Sequence, residues 1–477
     1  MEKLIKNKIW RCVAFFKRNC INSNQTLYKT LVICIVSITF YSCNKLVAVK
    51  LPVDQLVTAT VFADSTTAQA AVNGMYSQIY YGNGLSVFGY RISTLPAESA
   101  DEIIPAQNTF DQIYTNSLVA NNSDVNDLWS NCYNIIYLAN SIINGVQSSN
   151  TLSPTLKKQL IGEAEFGRAF CDFYLVNYFG KVPLITSTDV NITNNTPASA
   201  TDQVYAQITT DLTNARDALA KDYRWSGGDR TRVNSYGASA MLARVYLYNG
   251  QWSLAEMEAT KVINQSGLYS IVPDPNNVFL ANSNEAILQF YTNEQGYTLF
   301  ALNVVPTGNA EPNYTLNPIL KNAFEPGDIR KSKWIDSTNY LGIVYTYPYK
   351  YKSKIADNSE FDMVLRLAEQ YLIRAEARAQ ENDISGAAQD LNVIRTRAGL
   401  PGTTATDKAS LLLAIERERQ VELFCEYGHR WLDLKRTNRA TAVLGAEKPG
   451  WKSTDVLYPI PLSAISTNPK LSQNPGY

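Results

Sequence analysis

The chain has 477 residues, 43 of them basic and 43 acidic, with a single histidine and 45% hydrophobic residues. Such a length can bury a large core, while zero net charge without a basic patch beyond the N-terminal leader disfavours nucleic acid as a partner. With no second histidine, no His-Glu-x-x-His, no Gly-x-Ser-x-Gly elbow and no glycine-rich phosphate loop, the sequence supplies no catalytic, metal or cofactor signature.

The first predicted element is an apolar run at 31–41, after Lys29 and a long basic leader. It is too short to cross a bilayer, which takes roughly 20 residues, and has the length of a signal-peptide core. It ends at Ser42-Cys43, and a small residue before a cysteine reads as a lipoprotein cleavage site. The expectation is a signal peptide over 1–42, lipidation of Cys43, and one domain over 43–477. Phe40 and Tyr41 are bulkier than usual for such a site. Cys12, Cys20 and Cys34 fall in the leader, whereas Cys132, Cys171 and Cys425 sit among apolar neighbours and are expected as buried free thiols.

Helical periodicity follows over 156–179, with Ala164 and Ala169, and over 204–219. Leu242, Ala243 and Tyr246, then Ala255, Ala259 and Val262 after Gly250-Gln-Trp252, predict a helical hairpin lined with small residues. A second hairpin is predicted from Val364, Ala368, Tyr371, Ala375 and Ala379, followed by Ala387, Leu391, Ile394 and Ala398, with Gly399 and Pro401 as its stop. Aligning Ala255 with Ala387 also aligns Ala243 with Ala375, a spacing similar to the tetratricopeptide pattern. Between the hairpins, Tyr345, Tyr347, Tyr349 and Tyr351 would share one face of a strand that Pro348 interrupts, most simply a face covering a neighbouring element. Glu416, Glu418, Glu422 and Glu426 resemble a paired-carboxylate site. However, glycoside hydrolysis needs opposed carboxyls about 5 to 9.5 Å apart, and a row along one helix supplies no opposed wall. An ion-paired network with Arg419 and Arg430 is expected instead, and the same for Glu163 and Arg168 on the central helix.

Several motifs in order carry a family resemblance. They are Gly162-Glu-Ala-Glu-Phe-Gly-Arg-Ala-Phe170, Tyr178-Phe-Gly180, Val182-Pro-Leu184, Ala240-Met-Leu-Ala-Arg-Val-Tyr-Leu-Tyr248 and Gly327-Asp-Ile-Arg330. Arg430-Trp-Leu-Asp433, Pro459-Ile-Pro461 and the closing Asn474-Pro-Gly-Tyr477 complete them. This set resembles the SusD/RagB family of outer-membrane nutrient-binding lipoproteins. The resemblance implies a mostly α fold of tetratricopeptide-like hairpin repeats with irregular loop insertions and minor β structure. It also implies a lipid anchor in the outer membrane, on the cell surface, and a SusC-like TonB-dependent transporter as partner. Residues 44–46 lack the acidic cluster that often accompanies surface export in that group.

The implied activity is capture of a nutrient, an oligosaccharide or a peptide, without bond cleavage. A protein-binding assembly scaffold is the alternative. Tyrosine occurs 29 times against 16 phenylalanines, and its ring joins a flat apolar face to a hydrogen-bonding hydroxyl. Segments outside the repeats therefore give the candidate ligand residues: Tyr81, Asn108, Phe110, Tyr297 and Tyr314.

Overall fold

The computed structural model describes residues 58–477 apart from 85, 108–109 and 293–295; Cys43 and the expected boundary before it lie outside the described residues. The helices used below are α1 (Ser65–Tyr81), α2 (Ile92–Ser99), α3 (Ser123–Ser148), α4 (Pro154–Phe179), α5 (Thr201–Ala218), α6 (Ser235–Tyr248), α7 (Trp252–Ile263), α8 (Leu299–Val304), α9 (Leu367–Gln380), α10 (Ile384–Arg397), α11 (Lys408–Glu422), α12 (His429–Arg436) and α13 (Leu462–Thr467). From α3 to α7 each helix packs on the next; α7 then packs on α9, and α9 on α10 and α11. Hairpins separated in the chain are thus neighbours in space, with the irregular stretches looped out between them.

Local chemistry sets the helix ends. Ser153 accepts from the Leu156 N–H at 3.3 Å with Pro154 in the first helical position, and Asp383 accepts from Gly386 N–H at 2.9 Å. Gly399 follows α10 with φ +76°, the left-handed stop expected of it. Ala243, Ala255, Ala259, Ala375 and Ala387 are all fully buried, as close helix approach requires.

Short strands tie the looped segments to this frame: β1 (Ile103–Pro105), β2 (Ala286–Phe290), β3 (Tyr314–Leu316), β4 (Ile335–Tyr340), β5 (Ile343–Pro348) and β6 (Asp362–Arg366). The pairs β1–β3, β2–β6 and β4–β5 are antiparallel. Val364, expected on the helical stripe, lies in β6, because this fully buried strand pairs with β2 before the helix starts at Leu367. Tyr81, expected in a segment outside the helical repeats, lies with Tyr80 in the last turn of α1, which Gly82 ends at φ +51°. The tyrosine run divides at Pro348, where β5 ends. Tyr347 and Tyr351 are buried, and Tyr351 packs edge-on against Phe279, so these rings cover neighbouring elements. Cys132, Cys171 and Cys425 are buried free thiols.

Charge is buried on a large scale at the end of α11. Arg366 reaches Glu285 at 2.8 Å and Glu426 at 2.7 Å, and also pairs with Glu422. Arg330 and Arg397 converge on Glu422, Arg330 and Arg395 hold Glu418, and Lys350 holds Glu426 at 2.5 Å. The network is real, but its partners are distant in sequence: Arg419 pairs with Asp433 rather than Glu422, and Arg430 with Asp101 and Glu416 rather than Glu426. Likewise Glu163 pairs with Arg232, and Arg168 with Asp211. The helix ends at Glu422, so the expected one-face row is broken before Glu426. His429 is buried among these cations. Burial and the charges of Arg244 and Arg419 hold its imidazole neutral well below the usual histidine range. Among the described residues no helix is long and apolar enough to cross a membrane.

Removing Arg366 takes one buried cation from three buried carboxylates, Glu285, Glu422 and Glu426, and leaves the remaining cations to hold all three, so Arg366→Met should cost about 3–5 kcal/mol in denaturant unfolding. A loss well under 1 kcal/mol, roughly that of a surface pair, would show the network does not hold the frame. The acid response has a defined sign. Burial would raise the Glu422 carboxyl, but Arg397, Arg366 and Arg330 outweigh it and hold it well below 4.5. The unfolded chain therefore takes this proton before the folded one, and the stability Glu422 contributes is complete above pH 4.5 and drains below it. Glu422→Gln should be less stable than the parent at neutral pH, with the gap narrowing as the pH falls below 4.5.

Candidate functional site

In the β1–β3 pair Pro105 stands opposite Tyr314, and the Ala106 N–H donates to the Asn313 carbonyl at 2.9 Å. This register delivers the chain leaving β1 to the side of Tyr314. The segment carrying Asn108 and Phe110 begins there; Asn108 lies outside the described residues, and Phe110 is 89% exposed.

Tyr314 and this loop frame a cavity of about 260 Å³. Helix α2 contributes Thr94, Leu95 and Glu98, and the π-helical turn before it, Val87–Arg91, contributes Tyr90 and Arg91. Gln107, Asp111 and Ile113 come from the loop, Asp124 from the first turn of α3, Asn303 from α8, and Asn313 from beside β3. Side-chain bonds fix the rim. Asn313 Nδ2 donates to the Asn303 carbonyl at 2.7 Å, and Thr315 Oγ1 donates to the Thr346 carbonyl at 2.8 Å, seating β3 on β5.

Arg91 lies 2.7 Å from Asp127 and 3.1 Å from Asp124, so the cation at the cavity edge is already paired. Burial pushes the Glu98 carboxyl well above its usual range, and Asp111 and Asp124 push it further. Lys448 opposes this, its ammonium held by the Glu98 and Ser99 carbonyls at 2.6 and 2.8 Å. Burial likewise keeps the Tyr314 phenol neutral. A flat ring with its phenol, a carboxyl whose proton affinity burial raises and three carboxamides thus share one concavity. That is a set of donors and acceptors for hydroxyl groups around an aromatic face.

The other candidates lie outside this wall. Tyr297, half-buried, precedes Thr298, whose Oγ1 accepts from Ala301 N–H at 3.1 Å to cap α8; the same helix carries Asn303. The Tyr81 hydroxyl donates to the Thr292 carbonyl at 2.6 Å, and the Tyr81 ring meets that of Tyr80 edge-on. Tyr80 in turn lines a separate cleft of about 390 Å³ with Tyr76, Trp225 and Tyr291. Sequence reasoning missed Tyr90, Glu98 and the Arg91–Asp124 pair. The close set of Glu98, Asp101 and Glu102 beside an apolar run was the available signal, since carboxyls there must be either paired or protonated. Among the described residues no group of His, Cys, Asp and Glu is arranged to hold a metal ion.

Stacked helical hairpins carrying a loop-framed, partly aromatic cavity define a repeat-scaffold binding protein. Family models place it further: the SusD family model matches residues 324–477, and the model described as "Starch-binding associating with outer membrane" matches residues 54–247. The chain belongs to the SusD/RagB family. SusD-like protein P25 of Formosa agariphila is 25% identical over 502 aligned residues, which take in 88% of this chain and 93% of that one. A SusD superfamily protein of Bacteroides vulgatus superposes with a TM-score of 0.77 at 20% identity, covering 88% of this chain and all of that structure. A structure titled a laminarin-binding SusD-like protein superposes at 0.73 with 24% identity, covering 86% and 99%.

The Glu98 carboxyl gives a direct test of the cavity's electrostatics. Its folded state holds the proton more tightly than the unfolded chain, so ionisation above pH 4.5 costs stability. Glu98→Gln removes that cost, and its Tm relative to the parent should rise as the pH is taken from 4.5 to neutrality. A constant difference across that range would mean Glu98 is as well solvated as an ordinary carboxylate.

Proposed function

We propose that this chain captures a saccharide at the outer membrane and delivers it to a SusC-like TonB-dependent transporter, without cleaving it. The observation that carries this reading is the concavity in which the Tyr314 ring, the Glu98 carboxyl and the carboxamides of Gln107, Asn303 and Asn313 converge. The family model named for starch binding and outer-membrane association supports it, as does the laminarin-binding name of a similarly folded protein. In this reading Tyr314 stacks on a sugar ring, Asn108 and Phe110 are further ligand contacts on the adjoining loop, and Tyr297 and Tyr81 contact units further along the chain. Anchoring would come from lipidation of Cys43, and the transporter would lie beneath. Binding draws on stacking and hydroxyl hydrogen bonds in a site formed before the ligand arrives, which spares it the cost of ordering side chains.

Calorimetry against neutral glucan and xylan oligosaccharides should find a saturating ligand whose affinity falls about tenfold in Tyr314→Ala, the scale of one lost aromatic face. Unchanged affinity in both Tyr314→Ala and Tyr297→Ala would reject this placement of the site. Release of shortened oligosaccharides during the titration would reject binding without cleavage.

A further inference from the structure

An open concavity with an entirely uncharged lining lies on the other side of α3. It measures about 480 Å³, within the span of roughly 300–1,000 Å³ usual for small-ligand sites, and lies between α3, the 183–194 segment and α13. Trp129, Tyr133 and Tyr137 recur along α3 at steps of four and so form one stripe. At 100° per residue that stripe faces away from Asp124, which lines the Tyr314 cavity, so the width of a helix separates the two hollows.

The walls are built rather than loose. The Trp129 ring is wedged between Tyr133 at 4.9 Å and Phe179 at 5.0 Å. Tyr133 Oη donates to the Pro183 carbonyl at 2.9 Å. Asn468 Nδ2 donates to the Thr196 carbonyl at 2.7 Å and Ser463 Oγ to Asn126 Oδ1 at 2.5 Å, tying the C-terminal segment across both ends of the hollow. Tyr137 is 50% exposed, so its side chain is partly open to solvent at the hollow. Ser130, Tyr137 and Asn194 bring polar side chains to the same space.

None of the lining residues is charged. An anionic or cationic ligand would lose its hydration there without a counter-charge, which is strongly unfavourable. An alkyl chain would strip water from the hydroxyls and carboxamides and give nothing back. An uncharged ring bearing several hydroxyls matches both halves of the surface, stacking on the aromatic stripe and bonding to the Ser, Asn and Thr groups. We propose that this hollow is a second site for neutral saccharide, formed by the Trp129–Tyr133–Tyr137 stripe of α3 and the α13 segment. The proposal stands on this lining and not on the reading of the Tyr314 cavity.

The test is calorimetry and saturation-transfer NMR of the full chain with gluco- and xylo-oligosaccharides, in four variants: Tyr314→Ala, Tyr137→Ala, Ala464→Trp to fill the hollow, and Tyr314→Ala with Tyr137→Ala. Saccharide binding is expected to persist in Tyr314→Ala, to weaken further by about tenfold when Tyr137→Ala is added, and to weaken in Ala464→Trp at unchanged Tm. Complete loss in Tyr314→Ala alone would overturn this site while leaving the first reading intact. Effects of Tyr137→Ala but none of Tyr314→Ala would do the reverse. The second site is also overturned if no oligosaccharide binds, if neither Tyr137→Ala nor Ala464→Trp changes the titration, or if an alkyl glucoside detergent binds through its chain rather than its sugar protons.

Discussion

The structure depends on the convergence of Arg366, Arg330 and Arg397 on Glu422. None of these four groups is solvated: Glu285 and Glu426 take up the remaining guanidinium valences of Arg366, and Lys350 sits 3.9 Å over the Phe424 ring with its ammonium bonded to the Glu422 and Phe424 carbonyls. In such an interior each charge is tolerable only while its partners stay in place, because an uncompensated buried ion costs far more than a pair contributes. The arginines come from three different places: the segment after Gly327, the end of β6 and the end of α10. One carboxylate at the end of α11 thereby fixes where three otherwise separate parts of the chain must meet.

That knot reaches the cavity through a second layer of charge. Arg430, in the first turn of the helix that follows the knot, pairs with Asp101 at 2.7 Å, and the Cys425 N–H donates to Glu102 at 3.2 Å. Asp101 and Glu102 sit between the end of α2 and β1, so both elements of the cavity wall are pinned to the C-terminal half. Lys448 adds a third tie through the Glu98 and Ser99 carbonyls. The position of Glu98 is therefore a consequence of the frame. Its raised carboxyl follows from burial in that wall, with Asp111 and Asp124 adding to it and Lys448 only partly offsetting it.

Much of this was legible beforehand where one period repeats. The alanine stripes of α6 with α7 and of α9 with α10 located the hairpins, and Gly399 located a stop, because these depend on neighbours within a turn or two. Val364 reads as helix in the sequence because a buried strand and a buried helix start are both apolar runs; only pairing with β2 decides between them. Ion-pair partners were misassigned for a related reason. Arg419 and Glu422 are three apart in sequence, yet Arg419 turns to Asp433, which the following turn brings within 2.7 Å. The cavity was half legible: aromatic loop composition singled out Tyr314 and the loop after β1, whereas Glu98, Tyr90 and Arg91 belong to helical turns whose only mark was carboxyls placed beside apolar residues.

The way Tyr314 is held bears on how a ligand would be gripped. Its backbone is set by pairing with Pro105, and the next residue is tied to β5, so the strand holds Tyr314 at the cavity wall. Phe110 is the opposite case, a large apolar ring 89% exposed on the loop that starts from the same strand. Covering such a ring stabilises a complex in proportion to the apolar area removed from water, but immobilising its side chain and loop opposes that gain. Affinity at this cavity should therefore rest on the fixed wall of Tyr314 and α2. In the proposed site, an exposed ring such as Phe110 would favour ligands that offer it a surface to cover.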